Sequence, residues 1–191
     1  MNLEDAIKTR RSIRKFKPDA VPRENVEKIL ELATWAPSAM NQQNWKFVVI
    51  KGEQVEKLRQ ISSEAFKSHV EKDLEKVFAK YPQIIKATGR FFDDLGGAPV
   101  VICVYRKETV EGLIPDVESV AAATQNLVLA AHSFGLGACW MTGILPLADK
   151  INEITGEKEL SLQAIVALGY PDTEPKPPPR KPDKVEWIGW E

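Results

Sequence analysis

Cysteine and histidine are scarce in this chain of 191 residues, with only two of each. Cys103 and Cys139 both sit in apolar runs, VVICVY and GACWMT, and read as reduced core residues rather than a disulfide framework. There is no C-x-x-C, and His69 and His132 lie too far apart for ligand spacing, so no metal site is expected. No apolar run approaches the roughly 18 residues of a membrane span. The first residues, MNLEDAIKTRR, lack the apolar stretch of a secretion signal, so the cytoplasm is the expected compartment. Charge of one sign is also missing: the formal net charge is −1, which gives no overall pull toward nucleic acid or anionic lipid. No G-x-S-x-G, P-loop or acid–base pair appears. Chemistry on such a chain falls to a cofactor.

What is present is locally concentrated. Between Thr9 and Lys17 stand five basic residues, including Arg10, Arg11 and Arg14 around Ser12. Guanidinium groups and a hydroxyl suit a phosphate, although a solvated turn between two helices accounts for the same run. Arg180 and Lys181 form a second basic pair, on a segment with six prolines between 171 and 182. Such a segment is an extended arm rather than core. In APSAMNQQNW, 36–45, four neighbouring amides stand beside Ser38 and Ala39. Amides match an edge that alternates acceptor and donor, such as a flavin pyrimidine; a loop capped by its own side chains is the alternative. GLGACWMTG, 135–143, has G-x-G but no third glycine, and its helix-then-strand order reverses the dinucleotide fingerprint. It reads as a tight turn with backbone amides near Thr142 and Gly143.

Periodicity orders the elements. Asn2 caps a short helix with Leu3, Ala6 and Ile7 on one face, and a second helix runs from Pro22 toward Pro37. A strand is predicted at 46–51 and a helix from Gln54 to about Val70. A charged helical cover with Phe91 and Phe92 follows over 66–97. Further strands are predicted at 98–106, over ACWMT and over SLQAIVALGY. Asp116 to Phe134 is apolar on nearly every side and reads as a fully buried helix. LADKINEIT is a short helix closed by Gly156. The expected fold is α+β, a three-layer α/β/α sandwich whose small mixed sheet is flanked by helices. Residues 1–191 are expected to form one domain, with 171–191 as its arm.

Four stretches, RRSIRKF, ATWAPSAMNQQNWKFVVI, AAATQNLVLAAHSFGLGACWMTG and LGYPDTEPKPPPRKP, together resemble the nitroreductase family of flavoproteins. The resemblance implies a homodimer with FMN at the subunit interface, the arm reaching the partner. It assigns Arg10, Arg11, Ser12 and Arg14 to the phosphate and ribityl side of FMN, and Arg180 and Lys181 to its phosphate. Pro37, Ser38, Ala39, Asn41 and Gln43 would approach the flavin from the partner, with Asn44 where proline is frequent in relatives. Met141, Thr142 and Gly143 would lie beside the ring, with a backbone amide near N5. The implied reaction passes hydride from NAD(P)H through flavin N5 to a nitroaromatic, quinone or similar small acceptor by a ping-pong cycle. No side chain acts as acid or base. Dehalogenation, thiazoline-type oxidation or flavin fragmentation would use the same fold, and a non-enzymatic anion-binding protein is the reading of another class. Phe91 and Phe92 either shape the substrate pocket or pack the cover.

Overall fold

The computed structural model describes residues 1–108 and 116–190. Four strands form one sheet in the order β1-β2-β4-β3: β1 Trp45–Lys51, β2 Val100–Arg106, β3 Gly137–Met141 and β4 Ser161–Gly169. The expectation of a mixed sheet is corrected here, because all three ladders are antiparallel. The one parallel pairing described is an isolated bridge from Ser12 to Ala138.

Side-chain alternation along the two central strands builds two cores. Val100, Ile102 and Val104 of β2 join Ala164, Val166 and Leu168 of β4 on one face. There they pack on α2 (Arg23–Thr34) and α6 (Asp116–Ser133). Val101, Cys103 and Tyr105 project to the other face. That face carries α3 (Glu53–Ala65), the cover, and α7 (Ala148–Thr155). The layers are therefore α/β/α, as expected. Both cysteines are buried free thiols, and burial pushes Cys103 up to about 12.

Local signals hold at several ends. Asn2 accepts the Asp5 N–H at 2.8 Å and starts α1 (Leu3–Thr9), and α7 ends on left-handed Gly156. Three expectations shift. The predicted helix through Val70 breaks at Phe66, where one π-helical turn, Phe66–Val70, precedes α4 (Glu71–Phe78) and α5 (Pro82–Asp94). On α1 only Ala6 is buried, and Leu3 and Ile7 face solvent. The helix read as buried all round leaves Val117 half exposed. No described helix is long and apolar enough to cross a membrane.

Candidate functional site

Beyond α1 the basic run is extended and stitched on both sides. Ile13 N–H donates to Ala138 O at 3.0 Å, Phe16 N–H to Gly96 O at 2.8 Å, and Lys17 N–H to Tyr170 O at 2.8 Å. Buried Ile13 and Phe16 anchor the segment, which leaves Arg14 and Lys15 exposed. At Gly96, φ is +65° and a Cβ would lie 2.4 Å from Arg14 O, so only glycine permits this approach.

The stitching divides the run between two adjoining cavities. Arg10 and Arg11 line one of about 540 Å³, with His132, Gly137 and the arm residues Thr173, Glu174, Pro175 and Pro177. Ser12 and Arg14 line a cleft of about 1300 Å³, together with Phe91, Phe92, Met141, Thr142 and Gly143. Thr173 and Pro175 border both. The structure thus brings the basic run, the strand end at 141–143 and the cover to one place. Phe91 and Phe92 are buried in the cover and also line the cleft.

Among the described residues no ion pair holds Arg10 or Arg11, although Glu174 lines the same cavity. Burial lowers the Arg10 pKa, and the charges of Arg11 and Arg180 lower it further, so the arm's guanidinium acts on this end. Arg11 donates through Nη1 to Lys8 O at 2.8 Å and to Arg10 O at 2.6 Å, while its buried Nε has no hydrogen-bond partner. Burial first, then Arg10 and Arg11, lowers the His132 pKa. Thr9 Oγ1 donates to Asp5 O at 2.6 Å, so the 2.7 Å contact with His132 Nε2 requires the imidazole to donate. Spacing gave His132 no metal-ligand role and pointed to no other. Its place beside the arginines depends on α6 packing against α1, which spacing does not reveal.

Not every predicted residue joins the cleft. Arg180 and Lys181 line neither cavity, and nor do Pro37, Ser38, Ala39, Asn41 and Gln43. Residues 37–43 precede β1, the sheet edge opposite β3 and about 14 Å from it across three strand spacings. The segment is nevertheless built to one shape. Met40, Asn41 and Gln43 take left-handed backbone, with φ of 50°, 56° and 45°. Gln43 N–H donates to Ser38 Oγ at 2.9 Å, and Gln43 Nε2 donates to Asn41 Oδ1 at 3.0 Å. Asn44, 3% exposed, donates to Asp116 Oδ1 at 2.8 Å and to Lys107 O at 3.3 Å. Lys107 N–H returns a bond to Asn44 O at 2.8 Å. The bonds at Ser38 and Asn41 are those of a loop capped by its own side chains. Sequence reasoning also missed Lys15, Trp140 and Arg90, which line the cleft.

A phosphate-bearing flat ligand suits this layout. Arg10 and Arg11, without an ion pair among the described residues, and an orphaned Arg11 Nε stand at one end, and an apolar-walled cleft at the other.

Comparison with known proteins gives the same direction. The sequence profile of the Nitroreductase family matches residues 7–170. A Methanothermobacter thermautotrophicus protein named for NADH dehydrogenase and NAD(P)H nitroreductase activity is 34% identical over 92% of this chain and 80% of its own length. The iodotyrosine deiodinase of Thermotoga neapolitana is 30% identical over 92% of this chain and 91% of its own. A nitroreductase-type protein of Desulfovibrio desulfuricans, solved in complex with FMN, is 28% identical with a TM-score of 0.74. That match covers 98% of this chain and 99% of the other.

Proposed function

Because this chain belongs to the nitroreductase family, we propose that it is an FMN-dependent oxidoreductase that takes hydride from NAD(P)H and reduces small acceptors such as nitroaromatics or quinones. The observation that carries this reading is the pair of adjoining cavities, with Arg10 and Arg11 at one end, within the field of Arg180, and Met141 to Gly143 at the other. FMN, when bound, supplies a ring that accepts and returns hydride, so the reaction needs no acid–base pair from the protein. Arg10, Arg11 and Arg180 would hold the phosphate, and Lys181, exposed on the arm, would join them. Ser12 and Arg14 would flank the flavin, with Arg14 placing positive charge beside the ring and favouring its reduced, anionic form. Met141, Thr142 and Gly143 would orient the ring by backbone contact, and the cover would limit water.

The reading includes a homodimer. Residues 37–43 leave the opposite edge of the sheet, so Ser38, Asn41 and Gln43 would reach a cleft only on a second copy. Exposed apolar side chains at Leu3, Ile7, Trp35 and Met40 support this arrangement. The likeness to an iodotyrosine deiodinase favours a second reading, reductive dehalogenation on the same flavin.

The deciding experiment is a visible absorption spectrum of the purified protein, before and after FMN addition. Two flavin bands, one FMN released per chain and anaerobic bleaching by NADH or NADPH are expected. A colourless protein that takes up no FMN overturns the reading. Bleached enzyme reoxidised by 3-iodotyrosine but not by nitroaromatics or quinones would select the second reading.

A further inference from the structure

The outer wall of the cleft is built by α4 and α5. Helical spacing places Leu74 and Phe78 on one stripe of α4, and Ile84 and Phe91 on one stripe of α5, and all four line the cleft. These side chains face the cavity and make a slot for a flat apolar body. Four charged residues also line it among those described: Arg14, Lys15, Arg90 and Asp94. Three of them are engaged. Lys15 Nζ pairs with Asp172 Oδ2 at 2.6 Å, and the Arg14 guanidinium stands 6.0 Å from the Phe91 ring centroid. Asp94 lies one helical turn after Arg90 and could have neutralised it. Its Oδ1 instead accepts the Gly96 N–H at 2.7 Å and holds the turn that seats Arg14. Arg90 is exposed, and no described residue gives it a hydrogen bond or an ion pair.

We propose that the acceptor taken by this cleft is a flat aromatic compound carrying an anionic group, with Arg90 as its counter-ion and the determinant of that preference. The proposal rests on the flavoenzyme reading and gives it a substrate class. A guanidinium offers paired donors that match a carboxylate in one plane. An exposed arginine gains little from a partner in open water. Beside an apolar slot the ligand itself displaces that water, and the same pairing strengthens. The requirement is therefore joint: an aromatic body to fill the slot and a charge at its rim.

Calorimetric titration of the FMN-loaded protein with 4-nitrobenzoate and its neutral counterpart 4-nitrobenzamide separates the two contributions without requiring turnover. The wild type is expected to prefer the benzoate, and Arg90→Gln to lose about tenfold in benzoate affinity while keeping its benzamide affinity. Arg90→Lys should recover part of the loss. The proposal is overturned if R90Q weakens both compounds equally, which marks a packing role, or leaves their ratio unchanged. It is also overturned if R90Q raises only the KM for NADH or NADPH, because the cation would then serve the pyrophosphate of the donor. Failure of the flavoenzyme reading shows separately, as protein that takes up no FMN, and the same titration of flavin-free protein still reports on Arg90.

Discussion

Two glycines with nearly the same backbone conformation separate strain from crowding. Gly156 and Gly96 both have positive φ, +72° and +65°. A Cβ at Gly156 would meet nothing within 4 Å, whereas one at Gly96 would strike Arg14 O at 2.4 Å. Gly156→Ala should cost about 1 kcal/mol, the usual penalty for a left-handed L-residue. Gly96→Ala adds a collision between two backbones that no rotamer relieves, and should cost at least 2 kcal/mol more, by order of magnitude. Denaturant titration checks the difference. Because the 95–97 turn seats the extended segment bearing Arg14, G96A should also weaken FMN binding, and G156A should leave it intact.

His132 reports on the same end of the site. Its folded pKa lies below the ordinary value of 6.5, through burial and then through Arg10 and Arg11. The unfolded chain therefore takes up this proton first, so the His132 contribution to stability is unchanged above pH 6.5 and declines as the pH falls below it. An anion between Arg10 and Arg11 would offset their field and raise the pKa. Titrating the imidazole protons by NMR, with His69 as the other histidine in the same spectrum, should show His132 shifting up on addition of FMN or inorganic phosphate. A His132 titration that neither ligand moves would place the anion elsewhere.

At the scale of elements, the sequence was readable wherever the cause is local. Asn2, Gly156 and the apolar run of β2 mark their own elements by capping, left-handed geometry and burial on both faces. Within a single stretch the motif is local, so Ser12, Arg14 and Met141 to Gly143 could be named in advance, whereas most of the cleft's lining, Leu74, Phe78, Ile84 and Arg90 among it, could not. What escaped depends on pairing between distant segments. The antiparallel register of β1 with β2, and of β4 with its two neighbours, is set by tertiary packing, and neither strand sequence encodes the direction. The π-helical turn at Phe66–Val70 coincides with the seating of Phe66 against Phe92, ring centroids 5.5 Å apart, and against Gly89. Periodicity ran through it because side chains on either side still alternate helically. Asn44 is the clearest case. Among four adjacent amides nothing in the sequence distinguishes it, yet it alone of the four is buried.

At the scale of the molecule, the described chain exposes apolar side chains at two places, as the proposed homodimer requires. Trp35 and Met40 are 77% and 81% exposed beside the amide loop, and Trp187, Ile188 and Trp190 are exposed at the end of the arm. Sedimentation velocity is expected to give a dimer, and deletion of 183–191 to shift it toward monomer at low concentration. A sharper prediction comes from the division of labour within the site. One variant, R10Q/R11Q, loses the phosphate end but keeps its amide loop. A second, N41A/Q43A, keeps the phosphate end and loses the loop. Each homodimer should reduce acceptors poorly. Co-refolding the two should restore activity, because every mixed dimer has one site built wholly from unaltered segments and one that carries both defects. Random pairing then returns about a quarter of all sites. If each cleft were completed within its own chain, mixing would restore nothing, and the exposed loop would have to bind something other than a second copy.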